Sequence, residues 1–156
     1  MNHDNPSDTR DDNQAVKHAF VAEKTLALVG LPRKRGFGKQ LFAHLRRTGY
    51  KVLPINTQAD SIDGERCYRR LDDLPEPVRA VVTVVPPAET EKVVEDCGRL
   101  GIRRIWMQQG SESPAAVARC RELGIAAVAG ECLIMHTESG FPHSVHRLIW
   151  KLMGKY

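Results

Sequence analysis

No stretch of about 18 consecutive apolar residues occurs in this chain, so no membrane-spanning helix is expected. Residues 1–13 are polar, rich in Asp and Asn, and lack the apolar centre of a secretory signal. The expected compartment is therefore the cytoplasm. Aromatic residues make up only 6% of the chain and the net charge is a mild +4. A nucleic-acid interface built on a basic stripe with interleaved aromatics has little support from that composition. None of the four cysteines, Cys67, Cys97, Cys120 and Cys132, belongs to a C-x-x-C pair, which argues against structural zinc and for free thiols. His136, His143 and His146 follow a spacing that matches no ligand pattern, and no paired carboxylates converge on them. No metal is expected. A Walker lysine, a nucleophile elbow and a Ser/His/Asp order are also missing.

What is present is a regular alternation. The 156 residues suffice for one ordinary domain, and a 42% hydrophobic and 27% charged make-up is that of a globular chain. Short apolar runs at residues 25–29, 51–55, 80–85, 104–107 and 125–129 read as strands. Between them, residues 37–48, 88–100 and 113–123 carry helical spacing, and each is followed by glycine at Gly49, Gly101 or Gly124. Ser113-Pro114 is a strong helix start. Residues 14–23 suggest a short first helix, and 56–78 a long connection with a helical turn near residues 70–74. The pattern predicts an α/β, three-layer Rossmann-like domain with a five-stranded, mostly parallel sheet. The expected division is a disordered tail over 1–13, the domain over 14–140, and a C-terminal helix over 141–156 packed on the domain.

In such sheets ligands bind at the carboxyl ends of the strands. Five loops lie there. The first, after the first strand, runs Gly30, Leu31, Pro32, Arg33, Lys34, Arg35, Gly36, Phe37, Gly38, with Lys39 beyond. Glycine allows close backbone approach and tight turns, a helix start offers free N–H groups, and four cations stand there with no acid between them. Phosphate binding follows, although the glycine spacing is not that of dinucleotide dehydrogenases. The plainer reading is a glycine turn with solvated Arg and Lys. After the second strand stand Asn56 and Thr57, where a NAD-binding domain has a carboxylate for the ribose. Asn56 either bonds a ribose or adenine edge or holds a turn. Val85, Pro86 and Pro87 leave the third strand as a rigid wall beside an adenine, or merely end the strand. Gln108 and Gln109 follow the fourth strand, one of them bracing the loop, and Trp106 before them reads as core. Cys132, after the fifth, is either a thiol near a thiol-bearing cofactor or a half-buried structural cysteine.

Taken together, Val29-Gly30 with Gly36-Phe37-Gly38, Pro54-Ile55-Asn56, Val84-Val85-Pro86-Pro87, residues 106–110 and Glu131-Cys132-Leu133 resemble the small, stand-alone CoA-binding proteins. Their domain is also similar to the CoA-binding part of succinyl-CoA synthetase alpha subunits. The resemblance covers residues 24–136 and implies coenzyme A, or an acyl-CoA, laid across the strand ends. It puts the first loop on the phosphates and the loops at 54–57 and 85–87 around the adenosine. Pro32 stands where family members often have a small hydroxyl residue, and Thr57 where they often have proline. The synthetase's second domain, with its phosphorylated histidine, is not expected here. The reading is a CoA-binding protein without catalysis of its own, with a small-molecule nucleotide ligand, no membrane or nucleic-acid partner, and homo-oligomerisation open. The alternative is an NAD(P)-binding enzyme or redox sensor. A third reading is an interaction module whose C-terminal helix meets a partner.

Overall fold

The computed structural model describes residues 6–32 and 35–137. A first helix, α1 (Pro6–Ala22), leads into strand β1 (Thr25–Val29), helix α2 (Phe37–Arg47) and strand β2 (Lys51–Ile55). A small hairpin, β3 (Ser61–Ile62) and β4 (Glu65–Arg66), and a 3-10 turn at Leu71–Asp73 occupy the long connection. Then follow β5 (Ala80–Thr83), α3 (Pro87–Leu100), β6 (Arg104–Gln108), α4 (Pro114–Leu123), β7 (Ala126–Glu131) and the short α5 (Ile134–Thr137). The five long strands form one all-parallel sheet in the order β2-β1-β5-β6-β7.

Alternation along each strand divides the core in two. Leu26, Leu28, Val82 and Trp106 face one side, with Phe20 of α1 and Leu41 and Leu45 of α2. Ala27, Val81, Ile105 and Met107 face the other, with Val94 and Cys97 of α3 and Cys120 of α4. Period-two strands flanked by helices on both faces give the three layers. Helix ends obey local chemistry. Ser113 Oγ accepts the Ala116 N–H at 3.0 Å and Pro114 occupies the first turn of α4, the arrangement its sequence predicts.

Two elements differ from the sequence reading. Residues 6–13 are helical, where a tail is expected, and α1 runs unbroken into the predicted 14–23 segment. Its exposed residues 10–14 are polar because they face solvent. The helix is held further on, by buried Phe20 and by Lys17, whose ammonium meets Glu131 Oε1 of β7 at 2.6 Å. The hairpin is the second difference. Asp63 and Gly64 both have positive φ, 51° and 81°, which fits a two-residue turn between strands too short to show a period. The expected C-terminal helix at 141–156 lies outside the described residues.

The long connection leaves β2 and comes back to it. Tyr68 forms an isolated parallel bridge with Ile55, accepting the Asn56 N–H and donating to Pro54 O, both at 2.9 Å. The segment after Tyr68 is thereby set beside the carboxyl end of the sheet.

Candidate functional site

The strand order reverses between β1 and β5, since the chain builds outward from β1 to β2 and then crosses back to β5. A crevice opens at such a reversal, outside the carboxyl ends of the strands. Here it is a cleft of about 500 Å³, well within the range of small-molecule sites. Val29, Gly30, Ile55 and Val85 mark the strand ends, and Leu71 and Val93 add apolar surface. Asn56, Thr57 and Gln58 form one wall with Arg69 and Arg70. Glu89, Lys92, Val93 and Asp96, at helical spacing, turn one face of α3 to the other wall.

Each wall is fixed by specific bonds. Gly30 donates to Ile55 O at 3.2 Å. A Cβ there would overlap the Val84 carbonyl oxygen and lie 2.7 Å from Val85 Cγ1, and φ is +108°. Only glycine lets β1 and β5 leave the sheet this close together. Gly38 is needed for a different contact, because its Cβ would meet Pro32 Cδ at 2.7 Å. Gly36 has extended backbone and nothing nearer than 3.7 Å to an added Cβ. It precedes α2 with no side-chain capping bond; of the first-turn N–H groups, that of Lys39 turns back to the Gly36 carbonyl at 3.1 Å.

Asn56 holds two loops at once. Its Nδ2 donates to Leu31 O at 2.7 Å, and its Oδ1 accepts the Gln58 N–H at 2.8 Å. The turn reading of Asn56 is thus observed, with a cross-loop tie added. Val85 is clamped by Ser111, whose Oγ accepts the Val85 N–H at 2.8 Å and donates to Val85 O. Gln108 is the bracing glutamine: it is buried, and its Oε1 accepts the Leu133 N–H at 3.1 Å.

Of the residues singled out by sequence, Gly30, Asn56, Thr57 and Val85 come together in the cleft. Leu31 is buried in the core, and its carbonyl is held by Asn56. Pro32 packs on the first turn of α2. Arg35 is exposed and has no ion pair among the described residues; Arg33 and Lys34 lie outside them. Pro86 and Pro87 are exposed and open α3, and Gln109 is exposed beyond β6. Cys132, half-buried, lies beyond β7. None of these last four lines the cleft.

Sequence reasoning missed Arg69, Arg70, Glu89, Lys92 and Asp96 on the cleft walls, and Ser111 behind one of them. The helical spacing of residues 89, 92, 93 and 96 was the available signal for α3. Nothing local announces Arg69 and Arg70, which reach the cleft only because Tyr68 returns to β2. Arg69 donates to Asp60 Oδ1 and to Thr57 O, both at 3.1 Å. Asp72, behind Arg70, takes two bonds from Arg99 at 2.6 and 2.9 Å. That guanidinium holds the Asp72 carboxyl below the usual range.

The thiols divide in the same way. Burial pushes Cys97 up to about 12 and Cys120 up to about 11, and also raises Cys67. Buried thiols with so little thiolate react slowly. At about pH 8 a disulfide reagent is expected to modify Cys132 first in the native chain and all four cysteines in denaturant. Rapid native labelling of Cys97 or Cys120 would contradict that burial.

A family model described as CoA binding domain matches residues 24–138. Over 81 residues, 51% of this chain, the sequence is 32% identical to the ADP-forming acetate–CoA ligase of Methanocaldococcus jannaschii. The match spans 12% of that ligase's length. A hypothetical protein from Pyrococcus horikoshii OT3 superposes with a TM-score of 0.76 at 26% identity, over 88% of this chain and 97% of that one. The acetyl-coenzyme A synthetase 1 of Ca. Korarchaeum cryptofilum in its apo form gives a TM-score of 0.60 at 25% identity, over 72% of this chain and 27% of the synthetase. No observation supports an NAD(P) site: the second long strand leads to an asparagine already committed to two loops. With the model covering most of its length, the chain belongs to the CoA binding domain family.

Proposed function

We propose that this chain binds coenzyme A or an acyl-CoA across the carboxyl edge of its sheet, without a reaction of its own. The observation that carries the reading is the cleft at the strand-order reversal, where Gly30, Asn56, Thr57 and Val85 meet. The adenosine occupies that cleft on the β2 side. The diphosphate faces the first loop, where Gly30, Leu31, Pro32, Arg33, Lys34, Arg35, Gly36 and Gly38 lead to the uncapped start of α2. An open helix start attracts anions through its N–H groups and dipole. Pro86, Pro87, Gln109 and Cys132 stand further along the same edge, toward β7, and meet the remainder of a ligand longer than the cleft.

Thermal unfolding with CoA, acetyl-CoA, NAD and NADP tests this. A ligand present at about 100 times its dissociation constant adds about 2.7 kcal/mol to stability, a rise of several degrees in Tm. CoA or acetyl-CoA is expected to give that rise and NAD none. No shift with either thioester-forming ligand at about 1 mM, where micromolar binders saturate, overturns the proposal.

A further inference from the structure

Resting on that reading, we infer that Arg70 and Lys92 recognise the phosphate on the adenosine ribose, so that the cleft selects CoA over dephospho-CoA. The two cations stand on opposite walls, Arg70 after the returning Tyr68 and Lys92 on α3. The same cleft offers Ile55, Leu71 and Val93, apolar surface suited to a purine and its sugar.

The three cations that line the cleft among the described residues are held differently. Arg69 is committed, since it bonds both Asp60 and the Thr57 carbonyl and so fixes the start of the connection. Arg70 reaches Asp72 only at 3.8 Å, and that carboxylate is already taken by the Arg99 fork. Lys92 lies 3.4 Å from Glu89, one helical turn away. The Arg70 and Lys92 side chains are 70% and 75% exposed. Pairs between such exposed, long side chains are weak and easily exchanged. Both can turn inward to a phosphate monoester, which carries close to two negative charges near neutral pH. The guanidinium supplies a planar fork for two phosphate oxygens, and the ammonium a compact charge opposite it. Of the acids on the cleft, Asp96 accepts from Arg99 at 3.0 Å and Glu89 sits beside Lys92. When Lys92 turns to the phosphate, Glu89, 53% exposed, is left to water, and Arg99 stays shared between Asp96 and Asp72. A ribose hydroxyl, in place of the phosphate, engages neither cation strongly.

Titration calorimetry of the full chain with CoA and dephospho-CoA tests the inference. The unaltered chain is expected to bind CoA at least about tenfold more tightly, the scale of lost charge-assisted bonds. In Arg70→Gln with Lys92→Gln that preference disappears, while dephospho-CoA binds as before. An unchanged preference in the double variant, or equal affinity of the unaltered chain for both ligands, overturns this inference and leaves CoA binding standing. Binding of neither ligand by the unaltered chain overturns both. An NADP-over-NAD preference without any CoA response assigns the two cations to a different phosphorylated ribose and overturns the inference. Thermal unfolding of the double variant near the unaltered Tm excludes a folding defect as the cause.

Discussion

Gly30→Ala is expected to lower the unfolding free energy by about 2–6 kcal/mol and to abolish the thermal response to CoA. Two effects combine. The φ of +108° is one that L side chains rarely adopt, and the new Cβ overlaps the Val84 carbonyl. That obstacle is main chain at the exit of β5, so no rotamer change relieves it. Relief requires β1 and β5 to part, and their junction is the mouth of the cleft. Gly36→Ala is the control. Its backbone is extended and an added Cβ meets nothing closer than 3.7 Å, so the expected loss is about 1 kcal/mol or less. Urea denaturation of the two variants, followed by circular dichroism, compares them directly. Equal midpoints for Gly30→Ala and the unaltered chain would falsify the steric account of this junction.

Trp106→Ala is expected to cost about 3–5 kcal/mol. Trp106 is fully buried in the middle of β6, 5.4 Å from the Phe20 ring and 5.2 Å from His136 between ring centroids. Its Nε1–H donates to Glu131 O at 2.9 Å. Truncation therefore empties a large volume under α1 and leaves a β7 carbonyl without its donor. Trp106→Phe separates the two losses. It keeps much of the ring volume but orphans the carbonyl, for an expected cost of about 1–3 kcal/mol. A Phe variant as unstable as the Ala variant shows that the hydrogen bond, and not volume, dominates.

Much of the fold is legible because its signals are local. Residues 25–29 and 51–55 are apolar runs bounded by loops, and they become β1 and β2 with those limits. Ser113-Pro114 and Gly124 bracket α4 as helix chemistry requires. The start of α1 escapes because its anchors, Lys17 and Phe20, lie well past its first turns. The hairpin escapes because two-residue strands have no period, although Asp63-Gly64 is a turn signal in itself. The site divides in the same manner. Strand-end residues such as Gly30, Asn56 and Val85 follow from topology. Arg69, Arg70 and Ser111 depend on chain segments that meet only in three dimensions, through Tyr68 on β2 and the Val85 clamp. Charge in the first loop stands out in the sequence, whereas among the described residues the charge lining the cleft is that of Arg69, Arg70, Glu89, Lys92 and Asp96.

The return of Tyr68 to β2 also decides what the sheet offers to another chain. β2 is an edge strand, and edge strands invite pairing because alternate residues point their main-chain groups outward. Lys51 donates inward to Lys24 O and Ile55 accepts inward from Gly30, so Val52, Pro54 and Asn56 are the outward set. Proline has no N–H to give, and its carbonyl is taken by Tyr68. The Asn56 N–H is taken by the same residue. Among the described residues, Val52 is the one member of this set with both amide and carbonyl left outward, too little for a ladder. Two copies of this chain are therefore not expected to run their sheets together through β2, which leaves β7 as the sheet's other edge.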